Sequence, residues 1–563
     1  MTMRDPYFSV PAAVSALFLH SANNQRRLRL GVLCDGPQLP RYVRGVLDDL
    51  LRADFVDLAV VAEVSYRHAS NGLHKESLAM RVLSAPVEAR YQHNADPLEL
   101  VPFGDLLLSI ERLKFNAAMV DRSIELTAAD ALQLRAANLD VLLNFCARPL
   151  KVAEALLATH GVWYFHFGDS RKYPEGSGFL RELVDGSALS GIELIQQSGS
   201  AGGAAVLSRA LFSTTPFPSR FVNRFAPVWG ARHFVIQNLW ELSESGELRQ
   251  VVDSADAGKQ SVASRVPGSG EVIAWLAVEV GRRLLRARLT TQGPLKWRVG
   301  VRRSRTALFE ESGEDLMSSF KWLDAPEGHY WADPVLCEVA GKPWLFFEHM
   351  VESDGIAQIS CGRLVGDCEL VDVRTVLRRP HHLSYPQIIQ SDGDIYMLPE
   401  AAQSGGLDLY RARRFPDEWV LEARLLDFRC VDSSVFKFGG TWWMVTSPQV
   451  APGHAPITWL LQADHLTGPW RYCPHGVVAS SAAVARGAGA VFEHHERLIR
   501  PSQDCSRRYG EALVFNEIKS LRANEYQEST FRRVEGGGVP RLAGVHSYTR
   551  LDDWEAIDGG FKP

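Results

Sequence analysis

Five carboxylates recur at matching places in the second half of the chain: Asp333, Glu348, Glu400, Asp432 and Asp504. Each begins or ends a sixteen-residue phrase that occupies 333–348, 385–400, 432–447 and 489–504. Carboxylates that meet in one space can hold sugar hydroxyls. Two of them can also work as acid and base on a glycosidic bond, at about 5–5.5 Å apart for retention or about 6.5–9.5 Å for inversion. Arg500, Gln503 and Tyr509 fall in or just after the last phrase. They suit the same pocket, or an anionic group such as a phosphate, for which a guanidinium fork is fitted.

The elements that must position these groups are legible in the phrases. Each is a short apolar run, a polar or Gly-bearing turn and a second run that is mostly aromatic, which predicts a β-hairpin. The starts at 333, 385, 432 and 489 are 52, 47 and 57 residues apart. That is close to the period of propeller blades, about 40–50 residues of four strands each. Strands at Lys296–Arg302 and Gly544–Thr549, from the two ends of the β region, are expected to share one blade and close a five-bladed ring. A bland reading stands beside the chemical one. Asp before Pro or Ser at a strand start caps a turn, and Trp331, Trp442 and Trp443 fill blade cores rather than stack on sugars.

At 563 residues the chain is too long for one core. An apolar fraction of 46%, a charged fraction of 23% and a net charge of −5 are ordinary for a globular protein and give no reason to expect nucleic acid. Eight cysteines without metal-ligand spacing read as thiols in a reducing cytoplasm. Val10–Leu19 is faintly like a signal peptide, but Asp5 cancels Arg4 and Pro11 interrupts the run. Four regions are expected: an N-terminal extension at 1–27, an α/β domain at 28–215, a linker with an amphipathic helix at 216–295, and the propeller at 296–563. Within the second, Leu28–Cys34, Phe55–Val61, Val141–Phe145 and Val162–Phe167 read as strands. Pro40–Ala53, Ala128–Asn138 and Val152–His160 read as helices, so a parallel sheet covered by helices is predicted. Asp253–Gly270 reads as a linker. Glu271–Leu289, with arginines at its end, reads as a helix packed between domains. Its alternative is a peripheral helix lying on an anionic membrane.

WADP (331–334), HHLSYPQ (381–387), YMLPE (396–400), LYRARRFP (409–416), VDSSVF (431–436), TWWM (441–444) and RPSQDCSRRYG (500–510) carry a family resemblance. They are similar to the propeller domain of glucosamine inositolphosphorylceramide transferases and of bacterial envelope-polysaccharide proteins, which is related to five-bladed furanosidase-type glycoside hydrolases. The hydrolase relatives use a first-blade Asp as base, a second-blade Asp as modulator and a third-blade Glu as acid. Asp333 matches the first. The second phrase offers Tyr385 and Gln387, and the third offers Asp432. The resemblance thus implies that Asp333, Glu400, Asp432 and Asp504 bind sugar hydroxyls.

DVLLNF (140–145), GVWYFHFGD (161–169), KYPEGSGFLRELVDG (172–186) and SGIEL (190–194) resemble the methionyl-tRNA and sugar-nucleotide N-formyltransferases. The resemblance implies a Rossmann-type domain, 10-formyltetrahydrofolate as donor and an amino sugar as acceptor. His166 stands at the family's histidine position. Tyr164 replaces the Asn, and the later Asp falls at Ala201 or Gly202. His166 is then the acid/base, with Asp169, Glu175 or Glu182 supplying a carboxylate.

The adjacent pairs His381-His382 and His494-His495 are set aside, because neighbours on a strand point to opposite faces, and no metal is expected. The sequence therefore predicts a multidomain protein, an α/β formyltransferase-like domain followed by an all-β five-bladed propeller. Its expected activity is formyl-type transfer to an amino sugar of an envelope polysaccharide or glycolipid, with the propeller binding a glycan or sugar nucleotide. The alternatives are a glycoside hydrolase or transglycosylase centred on Asp333 and Glu400, and a non-catalytic glycan-binding scaffold.

Overall fold

A computed structural model describes residues 14–23, 26–66, 96–104, 106, 110–120, 123–151, 157–176, 178–198, 203–214, 220–251, 267–289, 295–313, 315–450 and 456–563. The linker at 253–270, the helix at 152–160, the apolar run at 10–19 and positions 201–202 fall wholly or partly outside these residues. The chain divides into two compact units, 1–281 with 450–452, and 282–449 with 453–563.

The first unit is built on an eight-stranded mixed sheet. Its strands are β1 (Leu28–Cys34), β3 (Val56–Tyr66), β5 (Glu111–Val120), β6 (Ser123–Glu125), β7 (Val141–Asn144), β8 (Val162–His166), β9 (Leu189–Gln197) and β10 (Ala204–Ser213). A separate short pair joins β2 (Gln38–Pro40) to β4 (Leu100–Pro102). The strand order is β10-β9-β8-β7-β1-β3-β5-β6. β5, β3, β1, β7 and β8 run parallel to their neighbours, and antiparallel strands finish both edges. The central strands are apolar on both faces, as buried parallel strands must be. Leu33, Val60, Leu142 and Val162 pack with Leu134 of the helix Ala128–Ala136. Thr127 caps that helix by accepting the Asp130 amide. The expected strand–helix–strand at the start is present as β1, the helix Arg41–Arg52 and β3. As a class, however, the chain is mostly β, and a Rossmann-type domain is not supported: this unit is built on a mixed sheet whose two edges are antiparallel. No described helix is long and apolar enough to cross a membrane.

The second unit is a five-bladed propeller. β11 (Lys296–Arg303) and β12 (Lys321–Trp322) form the outer half of the closing blade. The next four blades are sequential. They are β13 (His329–Val339), β14 (Lys342–Val351), β15 (Ile356–Val365) and β16 (Glu369–Leu377); β17 (Ser384–Ser391), β18 (Asp394–Glu400), β19 (Leu407–Arg414) and β20 (Glu418–Leu426); β21 (Cys430–Phe438), β22 (Thr441–Pro448), β23 (Thr458–Ala463) and β24 (Arg471–Ala479); and β25 (Phe492–His494), β26 (Arg497–Asp504), β27 (Ala512–Arg522) and β28 (Glu525–Glu535). β29 (Leu542–Leu551) and β30 (Trp554–Phe561) then return to pair with β11. The two ends of the β region therefore share one blade, as the sequence predicts, and the ring has no open edge there.

Blade faces interlock through apolar clusters. Trp344 and Phe346 meet Met397, Tyr410 and Trp419, while Val299 and Trp554 meet Trp331, Leu345 and Phe347. Trp331 and Trp443 are core residues of such clusters, and Trp442 is equally buried. One polar lock spans two blades. The buried Gln387 amide donates to the Val435 carbonyl at 2.6 Å and accepts the Val435 amide at 2.8 Å. Gln387→Leu leaves both backbone groups without a partner. It should cost about 2–4 kcal/mol, read as a fall in the denaturant midpoint; a loss below about 1 kcal/mol would show that the lock is dispensable.

Candidate active site in the propeller

Three consecutive blades begin with the same local irregularity. Asp333, Tyr385 and Asp432 have φ of 48°, 48° and 50°, in the left-handed region that non-glycine residues avoid. Each lies at a β-bulge: the register slips between Ala332 and Val335, between Ser384 and Gln387, and between Val431 and Ser434. A bulge re-aims the side chain it carries. Here each bulge amide is tied to a carboxylate. Asp333 N–H donates to Asp558 Oδ2 at 2.8 Å, Tyr385 N–H to Asp333 Oδ2 at 3.2 Å, and Asp432 N–H to Glu400 Oε2 at 3.0 Å.

Asp333, Glu400 and Asp432 share one cavity of about 220 Å³, lined also by Trp297, Tyr330, Ala332, Glu348, His382, Ser384, Arg486, Tyr509 and His546. Glu348 and Glu400 end their phrases at equivalent places, opposite Ala332 on β13 and Ser384 on β17. Four acids thus face two basic side chains, Arg486 and His546. Arg486 Nε donates to Asp432 Oδ2 at 2.6 Å, and its guanidinium lies 4.8 Å over the Tyr509 ring. His546 Nδ1 is 2.6 Å from Asp558 Oδ1, and its Nε2 is 3.4 Å from Asp333 Oδ1. Trp297 packs against the His546 ring at a tilt of 35°, with centroids 4.0 Å apart. Glycines make room for this packing. A Cβ on Gly487 would sit 2.9 Å from Asp432 Cβ, and the Gly489 amide donates to Tyr385 Oη at 2.5 Å.

The cavity sets its acids apart. Burial, with the Asp432 charge added, pushes Glu400 up to about 8; Arg486 and the Asp432 amide offset part of the rise. Burial also lifts Asp333, but the nearby His546 restrains it, and it reaches about 6. Glu348 is driven well above the usual range by burial and by the charges of Asp333 and Glu400. Burial lowers His382 to about 4, which leaves it neutral beside Glu348. His546 goes the other way. Burial disfavours its charge, but Asp558 and Asp333 outweigh that and raise it. At neutral pH the pocket therefore holds protonated Glu400 alongside ionised Asp333.

Of the residues singled out from sequence, Asp333, Glu400, Asp432 and Tyr509 meet in this cavity. Arg500, Gln503 and Asp504 do not line it. Arg500 is buried against Glu528 at 2.6 Å and the Val484 carbonyl at 3.0 Å. Gln503 donates to the Gly487 carbonyl at 2.6 Å, and Asp504 pairs with Arg533 at 3.0 Å. The reason is local. In the fourth blade β25 has only three residues, and the segment at Gly487 bridges to Ser502 alongside β26. It is Arg486, from that covering segment, that lines the cavity. Glu348, one of the five phrase-end carboxylates, lines it as well. Reasoning from sequence assigned no site role to Arg486, His546, Trp297, Tyr330, His382 or Asp558; Arg486 lies among small residues with no hairpin pattern to mark it.

In the first unit, the imidazole Nε2 of His166 donates to the Tyr173 carbonyl at 2.9 Å, and burial lowers its pKa. Arg171 clamps Asp169 through two bonds of 2.8 Å. Glu182 is fully buried in the short helix Arg181–Val184. Local bonds thus occupy His166 and Asp169, and burial encloses Glu182. Formyl transfer gains no support from the three.

Residues 324–535 match the family described as glucosamine inositolphosphorylceramide transferase 1, N-terminal. The transferase of that name from Oryza sativa subsp. japonica is 32% identical over 203 residues, covering 35% of this chain and 27% of the relative. The one from Arabidopsis thaliana is 29% identical over 214 residues, covering 36% and 27%. The chain thus spans about a quarter of the length of these curated relatives, at 27%. Among solved structures, a β-xylosidase superposes with a TM-score of 0.32 at 9% identity, covering 42% of this chain and 92% of that one. The GH43_1 enzyme from Xanthomonas citri gives 0.31 at 13% identity, covering 41% and 87%. In sequence, the stretch 324–535, from the closing blade's edge to the end of β28, is therefore similar to the N-terminal region of the glucosamine inositolphosphorylceramide transferases.

Proposed function

We propose that the propeller pocket catalyses glycosyl-group transfer in the building of a glycan or glycolipid. Glu400 gives its proton to the leaving oxygen as the glycosidic C–O bond breaks. The acceptor hydroxyl attacks the anomeric carbon, and its proton passes to Asp333. The observation that carries this reading is the separation of two acids in one cavity, Glu400 near 8 and Asp333 near 6. Environments that push paired acids apart assign one as proton donor and the other as acceptor at neutral pH. The names of the sequence relatives favour transfer over hydrolysis, and an amino sugar or inositol phosphoglycolipid as the substrate class. Water in the acceptor's place would give hydrolysis by the same two groups.

The test is turnover of a panel of glycosides and nucleotide sugars with inositol phosphoglycolipid acceptors, followed by mass spectrometry across pH. A transferred glycosyl group is expected, with a bell-shaped profile. Below about 6 Asp333 takes up a proton and the base is lost; above about 8 Glu400 gives one up and the acid is lost. Saturable glycan binding without turnover at any pH would reduce the pocket to a binding site.

A further inference from the structure

We propose that Glu310, His494 and His495 form a binding site for a borderline transition-metal dication such as Zn2+, clipping the loop after β11 to the β25–β26 hairpin. One ligand atom from each of the three residues lies within 4.8 Å of the others. Adjacent histidines on a regular strand diverge, the ground for setting this pair aside. The structure puts them across a strand end instead. His494 is the last residue of β25 and pairs with Arg497, so His495 and Glu496 make a two-residue hairpin loop. Both take left-handed φ, 47° and 62°, where such loops ordinarily use Asn-Gly. That turn swings the two imidazoles together, with ring centroids 4.2 Å apart.

The third ligand comes from a segment 184 residues away in sequence, where Glu310 Oε1 lies 3.0 Å from His494 Nε2. Its support is already built. The Ala307 amide donates to Glu310 Oε2 at 3.0 Å, fixing the carboxylate with its other oxygen toward the histidines. Phe309 meets the His494 ring edge-on, with centroids 5.1 Å apart at 89°. Ligands oriented by such outer contacts bind metals better than free side chains do. Two imidazoles and one carboxylate suit Zn2+, Co2+ or Ni2+ rather than Ca2+ or Mg2+, and leave a position for water. Ligand–metal distances of about 2.0–2.2 Å require only side-chain rotation, in which the Glu310–His494 hydrogen bond gives way. Because the clip joins distant segments of the closed ring, metal binding stabilises the folded state over the unfolded chain.

The experiment uses full-length, tag-free protein titrated with Co2+ and followed by visible absorption, with Zn2+ as competitor. One equivalent of four- or five-coordinate Co2+ is expected, displaced by Zn2+, and Zn2+ should raise Tm by a few degrees. His495→Ala and Glu310→Gln, both at exposed positions, should keep the metal-free Tm and lose the Co2+ signal and the Zn2+ shift. No saturable signal in the wild type, or an undiminished signal in both variants, would overturn the site.

Discussion

Glu400→Gln should lower kcat by about 10²–10⁴ while leaving KM nearly unchanged. The substitution keeps the shape of the side chain and removes the proton that Glu400 holds in the ring of bulged strand ends. A substrate whose leaving group departs without protonation gives the sharper diagnostic. On an aryl glycoside with an acidic phenol the variant should retain most of the wild-type rate, because only the proton donor has been removed. Equal losses on both kinds of substrate would mean that Glu400 positions the sugar rather than protonates it. The same variant carries a stability signature of definite sign. The folded protein holds the Glu400 proton up to about 8, whereas the ordinary value is 4.5. Between those values the native state binds more protons than the unfolded chain, so this residue lowers wild-type stability as pH rises through that window. Glu400→Gln should therefore be more stable than wild type at pH 8, with the gap closing toward pH 4.5. A gap that widens on acidification would contradict the assignment.

Arg486→Met should destabilise the protein by about 3–5 kcal/mol, the cost of leaving a buried charge without its partner. The Arg486 and Asp432 side chains are only 14% and 5% exposed, and Asp432 also faces the Glu400 carboxyl. Guanidinium denaturation at pH 7 measures the loss. Adding Asp432→Asn to Arg486→Met removes the stranded charge, and most of the loss should be recovered. If the double variant is as unstable as the single one, Arg486 acts through packing on Tyr509 rather than through charge.

Much of the propeller was legible because its signals are local and repeat. An apolar run, a turn and an aromatic run specify a hairpin wherever they occur, and the spacing of four such phrases specifies blades. The same phrases located Asp333, Glu400 and Asp432, since a bulged strand start and the end of its partner strand face the same space. The fourth phrase misled for a physical reason. Its first strand is shortened to three residues and a neighbouring segment runs beside its second, so Asp504 turns to Arg533 instead of the cavity. Arg486 and His546 were not legible as site residues, because their roles depend on contacts across blades, from Arg486 to Asp432 and from His546 to Asp333. In the first unit the run of parallel strands was readable from alternating strand and helix patterns. The antiparallel edges were not, and His166 proved to be tied to the Tyr173 carbonyl. At His494-His495 the premise that strand neighbours diverge does not hold, because left-handed His495 and Glu496 turn the chain and the two rings lie 4.2 Å apart.

The central claim is electrostatic: one pocket keeps Glu400 protonated at neutral pH while Asp333 beside it is ionised. Carbon-13 NMR of protein labelled at the side-chain carboxyls of Asp and Glu, titrated from pH 4 to 9, tests it directly. A Glu signal that titrates near 8 and vanishes in Glu400→Gln is expected, together with an Asp signal near 6 that vanishes in Asp333→Asn. Glutamate and aspartate signals that all titrate below about 5 would contradict it.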